Sequence, residues 1–87
     1  MLTLPARLTH TQAGECLTQW LAQLPPAPTA VRLDATGLTQ FDSAALAAML
    51  ALRRAALARG QVLEVVNMPP GLAELSHLYG VDELLSN

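Results

Sequence analysis

Polar and apolar residues repeat at two periods along this chain, and the order of those periods predicts the fold. Leu2-Thr3-Leu4 alternates as a short strand with one buried face, and Pro5 ends it. Ala30 to Asp34 alternates again, with Val31 and Leu33 facing one way and Arg32 and Asp34 the other. Gln61 to Val66 makes a third strand, with Leu63 and Val65 inward and Glu64 outward. Arg32 and Glu64 then share the solvated face and can pair across neighbouring strands, worth about 0.2–1 kcal/mol.

Between the strands the period lengthens to that of a helix. Thr9 with Gln12 three residues on reads as a capping box. The helix behind it carries Ala13, Leu17, Trp20, Leu21 and Leu24 on one stripe and Gln12, Glu15, Gln19 and Gln23 mostly on the other. Pro25-Pro26-Ala27-Pro28 stops it, because proline supplies no amide to a helix or a ladder. Ala35 to Phe41 reads as a loop, and Asp42 to Arg59 as a long alanine- and leucine-rich helix ended by Gly60. The prolines of Asn67-Met68-Pro69-Pro70-Gly71 prepare a third helix start. Leu72, Leu75 and Leu78 follow at helical spacing, Tyr79 closes the segment before Gly80, and Val81 to Leu85 makes a last short helical turn.

Strand, helix, strand, helix, strand, helix implies parallel pairing through right-handed crossovers. The expected class is α/β: a small mixed or parallel sheet of three to four strands in one domain over residues 1–87. Alternating strands, not wholly apolar ones, place the helices mainly on one face of that sheet. Asp34 and the Asp42-Ser43 turn both follow strand ends, so they are expected on one rim.

Composition narrows the partners. Apolar residues make up 52% of the chain and aromatic ones 3%, so the core is aliphatic. Charged residues are 14%, few enough to suggest that another protein covers part of the surface. The formal charge is −2 and the five basic residues are all arginine, with no basic run or aromatic platform to hold nucleic acid. Ala44 to Leu52 is the longest apolar run, far too short to span a bilayer. No positively charged leader precedes Leu2, so no signal peptide is expected, and the lone Cys16 fits a reducing compartment.

The most distinctive chemistry is at Phe41-Asp42-Ser43-Ala44-Ala45-Leu46-Ala47, where a polar turn opens into the long helix. A hydroxyl at the positive end of a helix, beside a carboxylate and followed by small side chains, offers a partner protein a flat place to dock. The same position favours added negative charge, so Ser43 is also a candidate for phosphorylation. The plainer reading is that Asp42 or Ser43 simply caps a core helix. Trp20 is expected at the edge of the core, and Arg53 and Arg54 on a solvated helix face or the rim of a docking surface. His10, Cys16 and His77 lie in three segments without ligand spacing, so no metal is expected. Ser43 lacks a glycine elbow and an oxyanion signature, and no glycine loop cradles phosphate, so no catalytic residue or cofactor is expected either.

Val31-Arg32-Leu33-Asp34, then Phe41-Asp42-Ser43-Ala44-Ala45-Leu46-Ala47, a helix and Val62-Leu63-Glu64-Val65-Val66 together resemble the STAS family of sulfate-transporter domains and anti-sigma-factor antagonists. The family hallmark is a strand ending near Asp-Leu, then Asp-Ser-Ser-Gly or a close variant whose hydroxyl residue opens the next helix. By that resemblance Ser43 falls on the key hydroxyl position and Asp42 on the acidic residue before it. Ala45 stands where the family has glycine, and the chain begins on what looks like the family's second strand. That leaves a sheet edge that is open or covered by a partner.

The tail Leu75-Ser76-His77-Leu78-Tyr79-Gly80-Val81 and Leu84-Leu85 look most like the small STAS subunit of the inner-membrane ABC transporter that moves phospholipids to maintain outer-membrane asymmetry. The resemblance implies a non-catalytic cytoplasmic accessory subunit, peripheral to the inner membrane, that binds and stabilises the transporter's ATPase. Asp42, Ser43, Ala44, Ala47, Ala48, Ala51 and Arg54 would make the contact. The alternative it implies is an anti-sigma-factor antagonist switched by phosphorylation of Ser43.

Overall fold

A computed structural model describes residues 2–85. The chain runs β1 (Leu2–Thr3), β2 (Arg7–Leu8), α1 (Ala13–Ala22), β3 (Val31–Asp34), β4 (Gln40–Phe41), α2 (Ser43–Ala58), β5 (Leu63–Val66), α3 (Pro70–Leu78) and α4 (Asp82–Leu85). β1, β3 and β5 form a parallel sheet in that order, with Leu2 opposite Leu33 and Leu33 opposite Val65. The α/β class and the strand alternation are as expected. Leu2, Leu4, Val31, Leu33 and Val65 are buried, while Thr3 and Arg32 are exposed and Glu64 is half-buried. Arg32 and Glu64 are register partners, their charged atoms 3.5 Å apart. Both are open to water, so the pair contributes little.

Two features of the sheet escape the alternation. β2 and β4 pair in parallel, Leu8 opposite Phe41, so the end of the segment expected as a loop, Ala35 to Phe41, is a strand. Two residues carry no period to read, yet this small ladder fixes the start of α2 by holding Phe41 in place. The edge at β1 is guarded from within: the Trp20 indole donates to the carbonyl of Thr3 at 3.1 Å. An edge carbonyl that would otherwise invite another strand is thereby occupied, and Trp20 is buried as expected.

Helix ends follow local chemistry. Only half of the expected capping box forms: Gln12 Oε1 accepts from the Thr9 amide at 3.0 Å, but the Thr9 hydroxyl donates to that same oxygen at 2.6 Å and α1 begins only at Ala13, with Gln12 as its N-cap. Pro70 is the first residue of α3, where its missing amide costs nothing. α2 and α3 both end in a Schellman motif. Gly60 (φ 73°) and Gly80 (φ 71°) take the left-handed position, and the next residues, Gln61 and Val81, donate back to Ala56 and Ser76.

The core is aliphatic, with Leu8, Leu33, Met49, Leu52, Leu72 and Leu85 fully buried. Two apolar stripes are rotated from their expected positions. In α1 the buried residues are Cys16 and Trp20, and Leu21 is exposed. In α3, Ser76 turns inward and satisfies its hydroxyl on the Ala73 carbonyl, leaving Leu78 79% exposed. Burial pushes the Cys16 thiol up, away from the reactive thiolate.

The start of β5 is also later than expected. Gln61 is a buried staple: its Nε2 donates to the carbonyls of Pro25 (2.9 Å) and Thr29 (2.8 Å), tying the proline-rich segment to the end of α2.

Candidate docking site

The amino end of α2 separates the two roles that the sequence left open between Asp42 and Ser43. Asp42 is the N-cap, in extended conformation, and its Oδ1 accepts from the Ala44 amide at 2.8 Å. Its other oxygen accepts from the His10 amide at 3.1 Å and lies 3.2 Å from His10 Nδ1. The carboxylate thus joins the turn after β2 to the start of α2. Partial burial pushes the Asp42 carboxyl up, but the His10 amide, the Ala44 amide and the His10 ring outweigh it and hold the group below its ordinary value.

The depressed value carries a sign. Ionised Asp42 stabilises the fold above the ordinary carboxyl value of 3.8, and that stability is lost as pH falls through the lower folded value. Thermal melts of the parent and of Asp42→Ala are therefore expected to differ at neutral pH and to converge in acid below about pH 4. A gap that persists at the acid end would show that the carboxylate's charge is not what holds the cap.

With Asp42 capping, Ser43 becomes the first residue of the helix, and its side chain is exposed. Among the described residues none makes a hydrogen bond to its hydroxyl. Around it the surface is apolar. Ser43, Leu46, Ala47, Leu50, Tyr79 and Val81 line a shallow groove of about 370 Å³ between α2 and the α3–α4 turn. Tyr79 is 60% exposed beside it.

Of the remaining expected contact residues, Ala47 and Arg54 are exposed, and Ala44 and Ala51 are half-buried. Ala48 is a correction. It is 4% exposed and packs into the core, since it lies about 100° further round the helix from Ala47. The outward stripe is Ser43, Ala47, Leu50, Arg54 and Leu57, in steps of four and three. That spacing is legible in the sequence, whereas Tyr79 and Val81 reach the groove only through tertiary packing.

Asp34 has hydrogen-bond partners of its own. Its Oδ1 accepts from the Thr36 amide at 2.9 Å and from Asn67 Nδ2 at 3.1 Å, bonds that with the Thr36 hydroxyl hold its carboxyl low. Among the described residues no group of three or more His, Cys, Asp or Glu is placed to hold a metal ion. No helix among them is long and apolar enough to cross a membrane.

A search of curated proteins returns no match. The family model described as "Mlab, STAS domain" matches residues 1–86. A parallel sheet leading through an Asp42-Ser43 turn into the long α2, together with a match over nearly the whole chain, places this protein in the STAS domain family, in its MlaB-like branch.

Proposed function

We propose that this STAS domain is a non-catalytic accessory subunit that binds the ATPase of an inner-membrane phospholipid ABC transporter. The observation that supports the reading is the exposed Ser43 hydroxyl beside an apolar groove walled by Leu50, Tyr79 and Val81. A capped helix end fixes the hydroxyl in place, and the groove supplies apolar area that only a partner can bury. The domain holds its ATPase in the active arrangement and is membrane-associated through that complex.

Ser43→Arg tests it. Residue 43 is exposed, so the variant is expected to melt within a few degrees of the parent. Tagged parent protein is expected to carry the ATPase through purification from detergent-solubilised membranes, and the variant to lose it. Equal recovery by both proteins overturns the reading.

A second reading rests on the same exposed hydroxyl: a serine kinase phosphorylates Ser43 and releases a partner, as in anti-sigma-factor antagonists. Added charge at a helix start is compatible with the fold while it repels Asp42 at a docked surface. Intact mass of protein from its own cells, before and after phosphatase, decides it, and an unchanged mass removes it.

A further inference from the structure

Ser43, Ala47, Leu50, Arg54 and Leu57 follow one another on the outward face of α2 by alternate steps of four and three. Steps of that kind make the seam of a two-helix coiled coil. Leu50 is half-buried and the other four are exposed. The stripe spans about 21 Å at the rise of an α-helix, with Leu50 at its midpoint.

Its two ends differ in sign. Asp42 stands at the amino end, and Asp82 and Glu83 directly follow Val81 of the groove wall. Asp42 and Asp82 are each within 3.2 Å of a histidine ring nitrogen, of His10 and His77, and both keep about two-fifths of their side chains exposed. Arg53, Arg54 and Arg59 stand toward the carboxyl end, Arg59 reaching the Pro25 carbonyl at 3.2 Å. Each end therefore complements the other and repels its own kind.

We propose that this face closes on a second copy of the same chain, as an isologous antiparallel pair of α2 helices. A two-fold axis at Leu50 sets Leu50 on Leu50, Leu57 opposite Ser43, and Arg54 within one residue of the level of Ala47. The small Ala47 leaves room for the arginine stem to run toward the acidic end, and Leu57 meets the groove of Leu46, Tyr79 and Val81. A parallel pair would instead stack Arg54 on Arg54. One helix pair of this length falls in the small, transient class of interfaces, so it is readily displaced by a larger partner.

The pair uses the face assigned above to the ATPase, but it is a property of the purified chain alone, and the two stand or fall separately. Sedimentation equilibrium on the purified chain, from micromolar to about 1 mM, reads it directly. The expected result is a reversible monomer–dimer equilibrium that weakens in about 1 M salt, where screening acts within about 3 Å. Arg54→Glu and Ala47→Arg each set like charges face to face and are expected to weaken dimerisation at least about tenfold. Both positions are exposed, and unchanged melting curves verify that the variants fold. A single 9.2 kDa species throughout, or a dimer indifferent to both substitutions, overturns the proposal. A dimer that captures no ATPase upholds it and removes only the transporter assignment; a strict monomer that captures ATPase does the reverse.

Discussion

Ala48→Arg is expected to unfold the domain, whereas Ala47→Arg, one residue earlier, is expected to leave the fold intact and, on the function proposed above, to abolish capture of the ATPase. The two alanines are identical in the sequence and differ only in angle around α2. Ala48 is 4% exposed among fully buried neighbours such as Met49 and Leu52, and Ala47 is exposed on the groove. An arginine at 48 must either place an unpaired guanidinium in an aliphatic core or force the helix off the sheet. Uncompensated buried charge costs about 3–5 kcal/mol where it has been measured by breaking buried pairs, and overpacking adds about 1–3 kcal/mol. At about 0.05–0.15 kcal/mol per residue a domain of 87 residues sits at the low end of about 5–15 kcal/mol, so a large share of the stability, and at the low end all of it, is removed. At 47 the guanidinium stays in water, and the stability change is expected within about 0.5 kcal/mol. What Ala47→Arg does destroy is the flat approach to Ser43. Urea denaturation of both variants, paired with ATPase recovery, reads the contrast. Loss of stability at 47, or tolerance at 48, would show that α2 sits rotated from the orientation described.

The same rotation explains what the sequence can and cannot disclose. Strand faces are legible because a period of two leaves no choice: once Val31 and Leu33 point inward, Arg32 cannot. Helix faces are less tightly determined in an alanine-rich helix, since Ala44, Ala47, Ala48 and Ala51 are alike in hydrophobicity and small enough for either side. Counting Leu46, Met49 and Leu52 as the buried row, all now seen to be buried, places Ala45, Ala48 and Ala56 with them. In α3 the row Leu72, Leu75, Leu78 suggests a stripe, yet Ser76 goes inward because the Ala73 carbonyl accepts its hydroxyl. Leu78 is then released to the surface, where no short-range rule accounts for it.

The corner itself was readable in outline. A carboxylate followed by a serine and a long alanine run announces a helix start, and the glycines 60 and 80 announce helix ends. The division of labour was not readable, because Asp and Ser are both good caps. It is decided by the β2–β4 ladder, whose Arg7–Gln40 and Leu8–Phe41 pairs bring His10 to Asp42 and commit that carboxylate to the turn. Two-residue strands leave no periodic trace, so the element that settles Ser43's exposure is the one least visible in the sequence.

Gln61 is the second position where a large effect is expected, and it too looked like something else. By sequence it opens the third strand; in the fold it is 1% exposed and its amide nitrogen is shared between the Pro25 and Thr29 carbonyls. Gln61→Ala removes both part-buried bonds and leaves a cavity, and the Thr29 carbonyl loses this donor. Each buried group left unsatisfied costs about 1–3 kcal/mol, and the lost packing adds to that. Gln61→Leu separates the two contributions, because it fills the space without donating. It also removes Oε1, which is itself buried with no hydrogen-bond partner among the described residues, so part of the cost is returned. The expected order of stability is parent, then Gln61→Leu, then Gln61→Ala, with the last lower by about 2–4 kcal/mol. Arg59→Ala, which removes only the exposed 3.2 Å bond to the Pro25 carbonyl, is expected to fall within about 0.5 kcal/mol of the parent. Urea midpoints for the three variants check the order. Gln61→Leu equal to or above the parent would show that the proline segment needs only to be packed, and that these two hydrogen bonds do no more than replace water.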